Sequence, residues 1–283
     1  GVGKTGNAKA DGEGGLFAAW AERLLEPLTE ALITVTGVGT VTKNAAGRAR
    51  AQEGLDDVSH VLRGQLDGPV EVPMNAALYL ADLESGQKTG LYYDQRPNHA
   101  FAQRLAAGAR VLDVFSHVGG FSLAALAAGA AEALAVDGSA PALALAGEAA
   151  ARMGVADRLS VQQADAFAAM EALGAEGARF GLVVCDPPAF APSKQALGQG
   201  LRAYERVARL AARLVEPGGY LVLCSCSHAA DLDRFRAASL RGVGRAGRQV
   251  QLVHTGFAGA DHPLHPALAE SGYLKALFFR VLA

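Results

Sequence analysis

The sequence has few of the residues that mark disulfide-rich, zinc-binding or strongly nucleic-acid-binding proteins. It contains three cysteines and one tryptophan in 283 residues, and its formal net charge at pH 7 is −2. The cysteines at 185, 224 and 226 form neither a disulfide framework nor the paired CxxC set of a zinc site, and no metal is expected. A reducing cytoplasm suits such thiols best. The near-neutral charge excludes a protein that is basic overall, although local basic faces remain open.

Long apolar runs are also missing. No run reaches the roughly 20 residues of a transmembrane helix, and no apolar segment typical of a signal peptide is found, so no membrane association is expected. Hydrophobic residues nevertheless make up 51% of the sequence and charged residues 19%. A chain of this length and composition can bury a substantial core and form one large domain plus a smaller one.

The N-terminal third is polar and then mixed. Residues 1–15 are Gly-rich and predict a flexible tail, in which GVGKT lacks the full spacing and the preceding strand of a phosphate-binding loop. Residues 16–35 have apolar side chains at helical spacing. The extended runs LITVTGVGTVT (32–42) and GPVEV (68–72) follow. We therefore expect a small α+β domain over residues 16–88.

From residue 89 onward, apolar runs of strand length alternate with Ala- and Leu-rich stretches. The predicted strands are RVLDVF (110–115), EALAVD (132–137), RLSVQQAD (158–165), GLVVCD (181–186), GYLVLCS (219–225), RQVQLVHT (248–255) and YLKALFFRVL (273–282). Helices are predicted from 120 to about 128 and near 140–153, 166–173, 199–214 and 229–241. This alternation predicts an α/β, Rossmann-like domain with a mostly parallel, seven-stranded sheet over residues 89–283. Ligands of such sheets bind at the carboxyl ends of the strands.

Acidic residues stand at three successive predicted strand ends. Asp113 lies inside the end of the first strand, where a carboxylate can receive an ammonium group, and the turn that follows contains Gly119 and Gly120. Asp137 ends the second strand, where a carboxylate suits a ribose diol. Asp165 ends the third and could accept a hydrogen bond from an exocyclic amine. Each acid alone could instead cap a helix, which is a common role for aspartate.

The three acids and the glycine turn favour one kind of cofactor. The turn does not have the G-x-G-x-x-G spacing of a dinucleotide site, and it contains no lysine for a pyrophosphate. A cationic nucleoside with an amino-acid tail fits this set better, and S-adenosylmethionine is such a molecule.

Two further strand ends bring a carboxylate and a thiol together. LVVCDPPAF (182–190) ends in Asp186-Pro-Pro, and LVLCSCSHA (221–229) places Cys224 and Cys226 one residue apart. A carboxylate and a thiol at the ends of two strands could together hold and attack a heterocyclic base. A free cysteine is often simply buried, and that reading is favoured for Cys185 and Cys224, which lie just inside strand ends.

These motifs carry a family resemblance. DVFSHVGGF, AVDGS, CDPPAF and CSCS occur in the order and spacing of class I S-adenosylmethionine-dependent methyltransferases. TGLYYDQRPN (89–98), DPPAFAPSK (186–194), SCS (225–227), DHP (261–263) and YLK (273–275) resemble the ribosomal RNA large subunit methyltransferase I family, which makes 5-methylcytosine in 23S rRNA. The resemblance covers about 35–283. The family's N-terminal PUA domain, an RNA-binding module, has no counterpart here, and HVGG replaces the usual YTGG.

The resemblance implies a set of functional residues and partners. Cys226 is implied as the nucleophile, and Asp186 as the group that holds the cytosine edge. The implied cofactor-binding residues are Asp94, Gln95, Arg96, Asp113, Phe115, Ser116, Gly119, Gly120, Asp137, Ser139, Asp165 and Asp186. The implied substrate-binding residues are Pro187, Pro188, Phe190 and Lys194. The expected partners are S-adenosylmethionine and ribosomal RNA in the cytoplasm; a homodimer stays open.

Methylation at cytosine C5 needs a thiol because that carbon is not nucleophilic by itself. A thiolate that adds to C6 makes C5 enamine-like, so that C5 can attack the methyl group of the sulfonium. An Asp-Pro-Pro-aromatic motif alone also resembles enzymes that methylate exocyclic amines of bases, and those enzymes need no thiol. An N-methylating RNA enzyme is therefore the first alternative, and a non-catalytic RNA-binding or assembly protein on the same fold is the second.

Two basic features suit a contact with RNA. Arg202, Arg206, Arg209 and Arg213 follow helical spacing and should line one helix face. Lys43, Arg48 and Arg50 cluster in the small domain. A charged stripe is equally often a solvated face, and a loop salt bridge is the plain alternative for Asp94 and Arg96.

Overall fold

The computed structural model describes residues 22–45, 50, 54–83 and 90–282 of the chain. The expected tail over residues 1–15 and the first part of the expected helix over 16–35 lie outside these residues, as does Arg48. Two compact units are present. The smaller one comprises the described residues up to Glu71 and those between Ala81 and Leu91, and the larger one comprises Val72–Leu80 and the described residues from Tyr92 onward.

Among its described residues, the smaller unit contains a helix and a two-stranded sheet. Helix α1 spans Leu25–Thr36, and strands β1 (Val41–Lys43) and β2 (His60–Arg63) pair antiparallel. The expectation of an extended run from residue 32 is wrong for residues 32–36, which continue the helix. The threonines of this β-branched stretch donate their hydroxyls to carbonyls four residues earlier, as Thr36 does to Leu32 at 2.6 Å. Gly37, with φ of 69°, ends the helix in the left-handed region.

The larger unit contains the remaining elements. Its strands are β3 (Val70–Met74), β4 (Ala77–Ala81), β5 (Arg110–Val114), β6 (Glu132–Asp137), β7 (Leu159–Gln163), β8 (Phe180–Cys185), β9 (Val215–Ser225), β10 (Val250–Gly256) and β11 (Lys275–Val281). Its helices are α2 (Arg96–Gln103), α3 (Gly120–Ala127), α4 (Ala140–Arg152), α5 (Ala166–Ala175), α6 (Leu197–Leu214) and α7 (Leu232–Arg245). Short 3-10 helices cover Tyr93–Gln95, Ala156–Arg158 and Ala269–Gly272. The hairpin β3–β4 straddles the boundary between the units.

A seven-stranded sheet forms the centre of the larger unit, as the sequence predicts. Its strand order is β10-β11-β9-β8-β5-β6-β7. The five strands from β9 to β7 run parallel, and β11 lies antiparallel between β9 and β10. Helices α5, α6 and α7 pack together against the sheet, and α2, α3 and α4 form a second contiguous layer. The mostly parallel Rossmann-like class is therefore confirmed.

The order of the strands fixes where a ligand can bind. β5 lies between β6 and β8. The chain adds β6 and then β7 on one side of β5, and β8 and then β9 on the other side. The loops after β5 and β8 therefore diverge at the carboxyl edge of the sheet and leave a crevice, which is the usual ligand site of an open α/β sheet. We call this edge the catalytic edge. Among the described helices, none combines the length and the apolar character that a membrane crossing requires.

Candidate functional site

Asp113 lies in β5 at the catalytic edge, with its side chain fully buried. Its Oδ2 atom accepts hydrogen bonds from the Ser122 backbone nitrogen at 2.9 Å and from the Ser122 hydroxyl at 2.8 Å. Its Oδ1 atom has no hydrogen-bond partner within the described residues. Burial raises the pKa of this carboxyl to about 6, although the Ser122 hydrogen bonds lower it. The charged form is therefore short of partners, and a cation at Oδ1 would stabilise it.

Asp137 ends β6 and organises the two loops beside it. Its Oδ2 accepts from the His117 backbone nitrogen and its Oδ1 from the Ser139 backbone nitrogen, both at 2.8 Å. Ser139 in turn caps helix α4, since its hydroxyl accepts from the Ala142 nitrogen at 3.3 Å. Each carboxylate oxygen has a second lone pair, so Asp137 can hold these loops and still accept from a ribose hydroxyl.

Asp165 has the helix-capping role that the sequence leaves open for each acid. It follows the end of β7, is exposed, and accepts from the Ala168 nitrogen at 2.9 Å as the N-cap of α5. Its second carboxylate oxygen remains available for a contact with a base amine, which stays a prediction.

The loop between β5 and α3 has a backbone shape that few residues adopt. Phe115 and His117 have φ of 63° and 50°, and Gly119 has φ of 79°. Left-handed conformations at non-glycine residues are uncommon and are often found at ligand sites. At Gly120 the absence of a side chain allows the backbone to pack closely against the buried His99 ring, because a Cβ atom there would lie only 2.8 Å from that ring. The loop therefore depends on these glycines for both its conformation and its packing.

Ser116 anchors that loop through its backbone. Its nitrogen donates to the Val136 carbonyl at 3.1 Å, and its own carbonyl accepts from the Gly119 nitrogen at 2.8 Å. Its hydroxyl is buried and has no hydrogen-bond partner within the described residues. Ser116 therefore offers a hydroxyl to a ligand in the crevice.

The segment before α2 is tied to two loops of the larger unit. Asp94 is buried, its Oδ2 accepts from the Tyr273 hydroxyl at 2.7 Å, and its carbonyl accepts from the Gly259 nitrogen at 3.1 Å. Gln95 is also buried and accepts from the Asn98 amide at 2.6 Å. Arg96 is exposed, and its Nη2 atom lies 3.7 Å from Asp261 Oδ2.

These residues fit a cationic, hydroxyl-bearing cofactor. Three buried oxygens of this group of residues have no hydrogen-bond partner within the described part of the chain: Asp94 Oδ1, Asp113 Oδ1 and the Ser116 hydroxyl. Buried polar groups are normally paired, so such a set suggests that a polar ligand completes them. Two of the three belong to carboxylates, which suit ammonium and hydroxyl groups. The set agrees with S-adenosylmethionine.

Cys226 and the Asp-Pro-Pro loop meet at the ends of adjacent strands. β9 ends at Ser225, so Cys226 is the first residue beyond it, and its side chain is only partly buried. The Cys226 sulfur lies 3.9 Å from the Pro187 carbonyl oxygen. Asp186 is the first residue after β8 and is likewise half-buried. The thiol and the carboxylate therefore belong to residues that directly follow two adjacent parallel strands, at the catalytic edge.

The other two cysteines are placed as the sequence predicts. Cys185 and Cys224 lie inside β8 and β9 and are buried. Burial raises the pKa of both thiols, so both stay protonated. No disulfide joins any of the three cysteines. Cys226 is therefore the thiol that a substrate can reach.

A hydroxyl network fixes the turn that carries Cys226. The Tyr204 hydroxyl, on α6, lies 2.9 Å from the Ser225 hydroxyl and 2.8 Å from the Ser227 hydroxyl. The Ser227 hydroxyl also accepts from the Ala191 nitrogen at 3.0 Å. All four residues are buried. The serines on each side of Cys226 therefore bind its turn to α6 and to the loop after Asp186.

Aromatic rings line the crevice beside this turn. Phe190 lies with its ring centroid 6.3 Å from that of Phe115, 6.2 Å from that of Phe167 and 5.0 Å from that of Tyr204. The remaining residues implied as substrate contacts differ in exposure, with Pro187 buried and Pro188 and Lys194 exposed. The structure therefore brings Asp186, Pro187 and Phe190 to the crevice and leaves Lys194 on the surface.

Three residues near the thiol were not assigned a role from the sequence. Tyr92, Tyr273 and Lys275 each interact electrostatically with Cys226. Burial raises the pKa of Tyr92 to about 12 and that of Tyr273 still further, so both hydroxyls are neutral donors at pH 7. The sequence signal for Lys275 is a lysine in the otherwise apolar stretch Leu274–Phe279.

The basic residues fall into two groups. Lys43 is buried and binds Glu22 at 2.6 Å and Asp56 at 3.4 Å, while Arg50 binds Glu22 at 3.1 Å. These pairs neutralise the two charges within the smaller unit and leave the arginines of α6 as the stronger candidates for phosphate contacts.

The α6 arginines have different surroundings. Arg206 pairs with Glu171 at 2.9 Å and stacks over Phe167, whereas Arg202, Arg209 and Arg213 make no ion pair within the described residues. The contact stripe predicted along one helix face is therefore uneven. These surroundings favour Arg202, Arg209 and Arg213 over Arg206 as candidates for phosphate contacts.

Comparison with known proteins gives consistent matches. Residues 29–280 match the sequence family described as S-adenosylmethionine-dependent methyltransferase. The ribosomal RNA large subunit methyltransferase I of Shewanella denitrificans is 35% identical over 268 residues, which cover 94% of this chain and 68% of that protein. The protein of the same name from Aeromonas salmonicida is 34% identical over 268 residues and is covered over 67% of its length.

Solved structures resemble this chain in fold. SMU.776, solved in complex with S-adenosylhomocysteine, superposes with a TM-score of 0.78 at 19% identity, over 92% of this chain and 67% of that chain. The tRNA m1G37 methyltransferase of Methanocaldococcus jannaschii gives a TM-score of 0.60 at 14% identity, over 92% of this chain and 69% of that chain. At such identities these likenesses concern the fold alone.

Proposed function

Since this chain belongs to the S-adenosylmethionine-dependent methyltransferases, and among them to the ribosomal RNA large subunit methyltransferase I family, we propose that it methylates C5 of a cytosine in large-subunit ribosomal RNA. The observation that carries the proposal is the pair formed by Cys226 and Asp186. The partly buried thiol and the carboxylate lie at the ends of adjacent strands and face the cofactor crevice. A thiol is needed for methylation at carbon and not for methylation at an exocyclic amine.

The residues of the crevice would hold S-adenosylmethionine, which supplies an electrophilic methyl group. Asp113 offers its unpaired Oδ1 to an ammonium group, and Asp137 offers lone pairs to the ribose hydroxyls. Asp94 Oδ1 and the Ser116 hydroxyl are buried acceptors on the same crevice. The segment before α2, which contains Asp94, is fixed by the Tyr273 hydroxyl, so the acceptors are held in place before the cofactor binds.

Cys226 would perform the chemistry on the base. Its thiolate adds to C6 of the cytosine, and the electron pair of the C5–C6 double bond moves to C5. C5 then takes the methyl group, its proton is lost, and departure of the thiolate restores the aromatic ring. Asp186, on the neighbouring strand end, holds the N3 and amino edge of the base, so that C6 faces the sulfur. Pro187 limits the backbone freedom of the loop that presents this carboxylate.

The surroundings of the thiol support this role. The hydroxyl network around Ser225 and Ser227 holds the turn of Cys226 in one position. A nucleophile that is already in position needs less ordering when the base binds, so the free-energy cost of bringing the two together is smaller. Phe190 provides a ring face beside the Asp-Pro-Pro loop on which a base extruded from RNA can stack.

Product analysis tests the proposal. Purified protein is incubated with S-adenosylmethionine and ribosomal RNA from a strain that lacks the gene, and the nucleosides are then measured by mass spectrometry. The proposal expects new 5-methylcytosine with the wild-type protein and none with Cys226→Ala. An N-methylated nucleoside instead would favour the amine-methylating alternative, in which Asp186 holds an exocyclic amine. Cofactor binding without any methylated product would favour a non-catalytic RNA-binding role.

A further inference from the structure

Lys275 lies directly beside the turn that carries Cys226. It is the first residue of β11, and its partner across the antiparallel ladder is Ser225, the last residue of β9. Its Nζ atom donates a hydrogen bond to the Ser227 carbonyl oxygen at 2.7 Å. The ammonium group is therefore held at the backbone of the residue that follows Cys226.

The burial of Lys275 requires an explanation. Its side chain is 3% exposed, yet the hydrogen-bond acceptor it reaches is a neutral carbonyl. Taking an ammonium group out of water is unfavourable unless an opposite charge compensates it. Burial lowers the pKa of Lys275 to about 8, and Cys226 and Asp231 act in the opposite direction, as nearby negative groups do.

Of these two candidates for the opposite charge, Cys226 fits better. Asp231 caps α7 through the Arg234 nitrogen at 2.8 Å and also pairs with the Arg234 guanidinium at 3.2 Å. Asp231 is also exposed, and its carboxylate is already occupied by these contacts with Arg234. Cys226 is next to the residue that Lys275 binds, and its thiolate can complete the pair.

The other groups around the thiol cannot replace Lys275. Asp186, on β8, carries the wrong sign to favour a thiolate. Tyr92, Tyr204 on α6 and Tyr273 have pKa values raised mainly by burial, so they are neutral at pH 7. Of these groups within the described part of the chain, Lys275 is the one with a positive charge.

We propose that Lys275 is the counter-ion of the Cys226 thiolate, a positioning residue that keeps the nucleophile ionised at neutral pH. The role of Lys275 in catalysis rests on the proposed function, whereas its effect on the ionisation of the Cys226 thiol does not. A thiol beside a lysine ammonium commonly titrates below about 7.5, whereas an ordinary thiol titrates near 8.5.

The experiment is the pH profile of Cys226 alkylation by iodoacetamide, with the labelled peptide identified by mass spectrometry. Cys185 and Cys224 are buried, so the fast label reports Cys226. The wild-type midpoint is expected below about 7.5, and Lys275→Met should move it to about 8.5 or above. Alkylation at pH 7 should then fall about 10-fold. Lys275→Arg keeps the charge and should keep most of the reactivity.

Arg280→Met is the matched control, because it removes a positive charge from the same strand at its opposite end, where Arg280 faces the Tyr220 ring. Its labelling midpoint should equal that of the wild type. Thermal melting and S-adenosylhomocysteine binding check that each variant is folded. A midpoint unchanged in Lys275→Met overturns the proposal, and so does a wild-type midpoint of about 8.5 or above, which needs no variant.

The outcome is separable from that of the proposed function. If Lys275→Met moves the midpoint while Cys226→Ala still makes 5-methylcytosine, the ion pair stands and the thiol mechanism fails. If Cys226→Ala is inactive while Lys275→Met leaves the midpoint unchanged, the mechanism stands and the counter-ion role fails.

Discussion

The Cys226 sulfur lies 3.9 Å from the Pro187 carbonyl oxygen, which connects the turn after β9 to the Asp-Pro-Pro loop after β8. These two strands are neighbours and run parallel, so their carboxyl ends present a thiol and a carboxylate to one crevice. The buried acceptors of β5 and the adjoining loops line the same edge of the sheet. The proposed methyl transfer requires that the residues that bind the cofactor lie close to the thiol and the carboxylate that act on the base.

Asp113 predicts a pH dependence of cofactor binding. Its pKa is raised to about 6 by burial, so the carboxyl becomes protonated as the pH falls through 6. An ammonium group binds the charged form better, and the affinity for S-adenosylmethionine should therefore decrease below pH 6 and level off above it. Asp113→Asn should bind more weakly at pH 7.5 and lose this dependence. Calorimetry from pH 5 to pH 8 measures both effects, and an equal pH dependence in the two proteins would remove Asp113 from the site.

Asp137 predicts a loss of cofactor affinity when its carboxylate is removed. Asp137→Ala removes the acceptor proposed for the ribose hydroxyls and should weaken S-adenosylmethionine binding by about 1–3 kcal/mol. Asp233→Ala is a suitable control, since Asp233 is an exposed carboxylate on α7 that pairs with Arg236. Equal affinity of the Asp137 and Asp233 variants, measured by calorimetry, would contradict the assignment.

The arginines of α6 predict a graded effect on RNA binding. Arg202 follows Gly200, which packs directly against the Phe190 and Ala191 loop at the catalytic edge. Arg213, near the other end of the helix, lines a separate cavity of 510 Å³ together with Arg179 and Arg248. If phosphates pass the catalytic edge, Arg202→Ala should lower RNA affinity and reduce the salt slope by about 1, and Arg213→Ala should do so less. Filter binding at several salt concentrations measures both slopes, and unchanged slopes would make the stripe a solvated face.

The parallel sheet and its functional edge were predictable from the sequence because each strand is a separate apolar run. The bounds predicted for β6, residues 132–137, agree with the structure. Parallel strands end at one edge, so the positions of Asp113, Asp137 and Asp186 followed from the runs alone. The early start of β9 was not predictable, since its register with β8 is irregular between Val215 and Tyr220, a stretch in which Gly218 has φ of 78°.

Contacts between distant parts of the chain were not predictable. Lys275 reaches the Cys226 turn through the antiparallel register of β11 with β9, which no local pattern specifies. The sequence places Lys43 in a basic cluster that suits either a contact with RNA or a solvated face. Its partner Glu22 lies far away in the sequence, and only the fold brings the two together.

Tyr204 predicts a coupling between stability and activity. Its hydroxyl bonds to those of Ser225 and Ser227 in a buried network, and Tyr204→Phe leaves both serines short of a partner. The free energy of unfolding should fall by about 1–3 kcal/mol. The turn of Cys226 should also loosen, so methyl transfer should slow while S-adenosylmethionine binding is retained. Denaturant unfolding and single-turnover kinetics test this, and a variant equal to the wild type in both would show that the network does not hold the turn.

Covalent trapping on RNA that contains 5-fluorocytosine is the most direct test of whether Cys226 adds to C6 of the cytosine. Fluorine at C5 cannot leave as a proton, so a thiol that has added to C6 stays bonded to the base after methyl transfer. We expect a stable protein–RNA adduct that depends on S-adenosylmethionine, maps to Cys226, forms with Cys224→Ala and does not form with Cys226→Ala. An adduct on Cys224, or a Cys226→Ala protein with normal methyl transfer to cytosine C5, would contradict it.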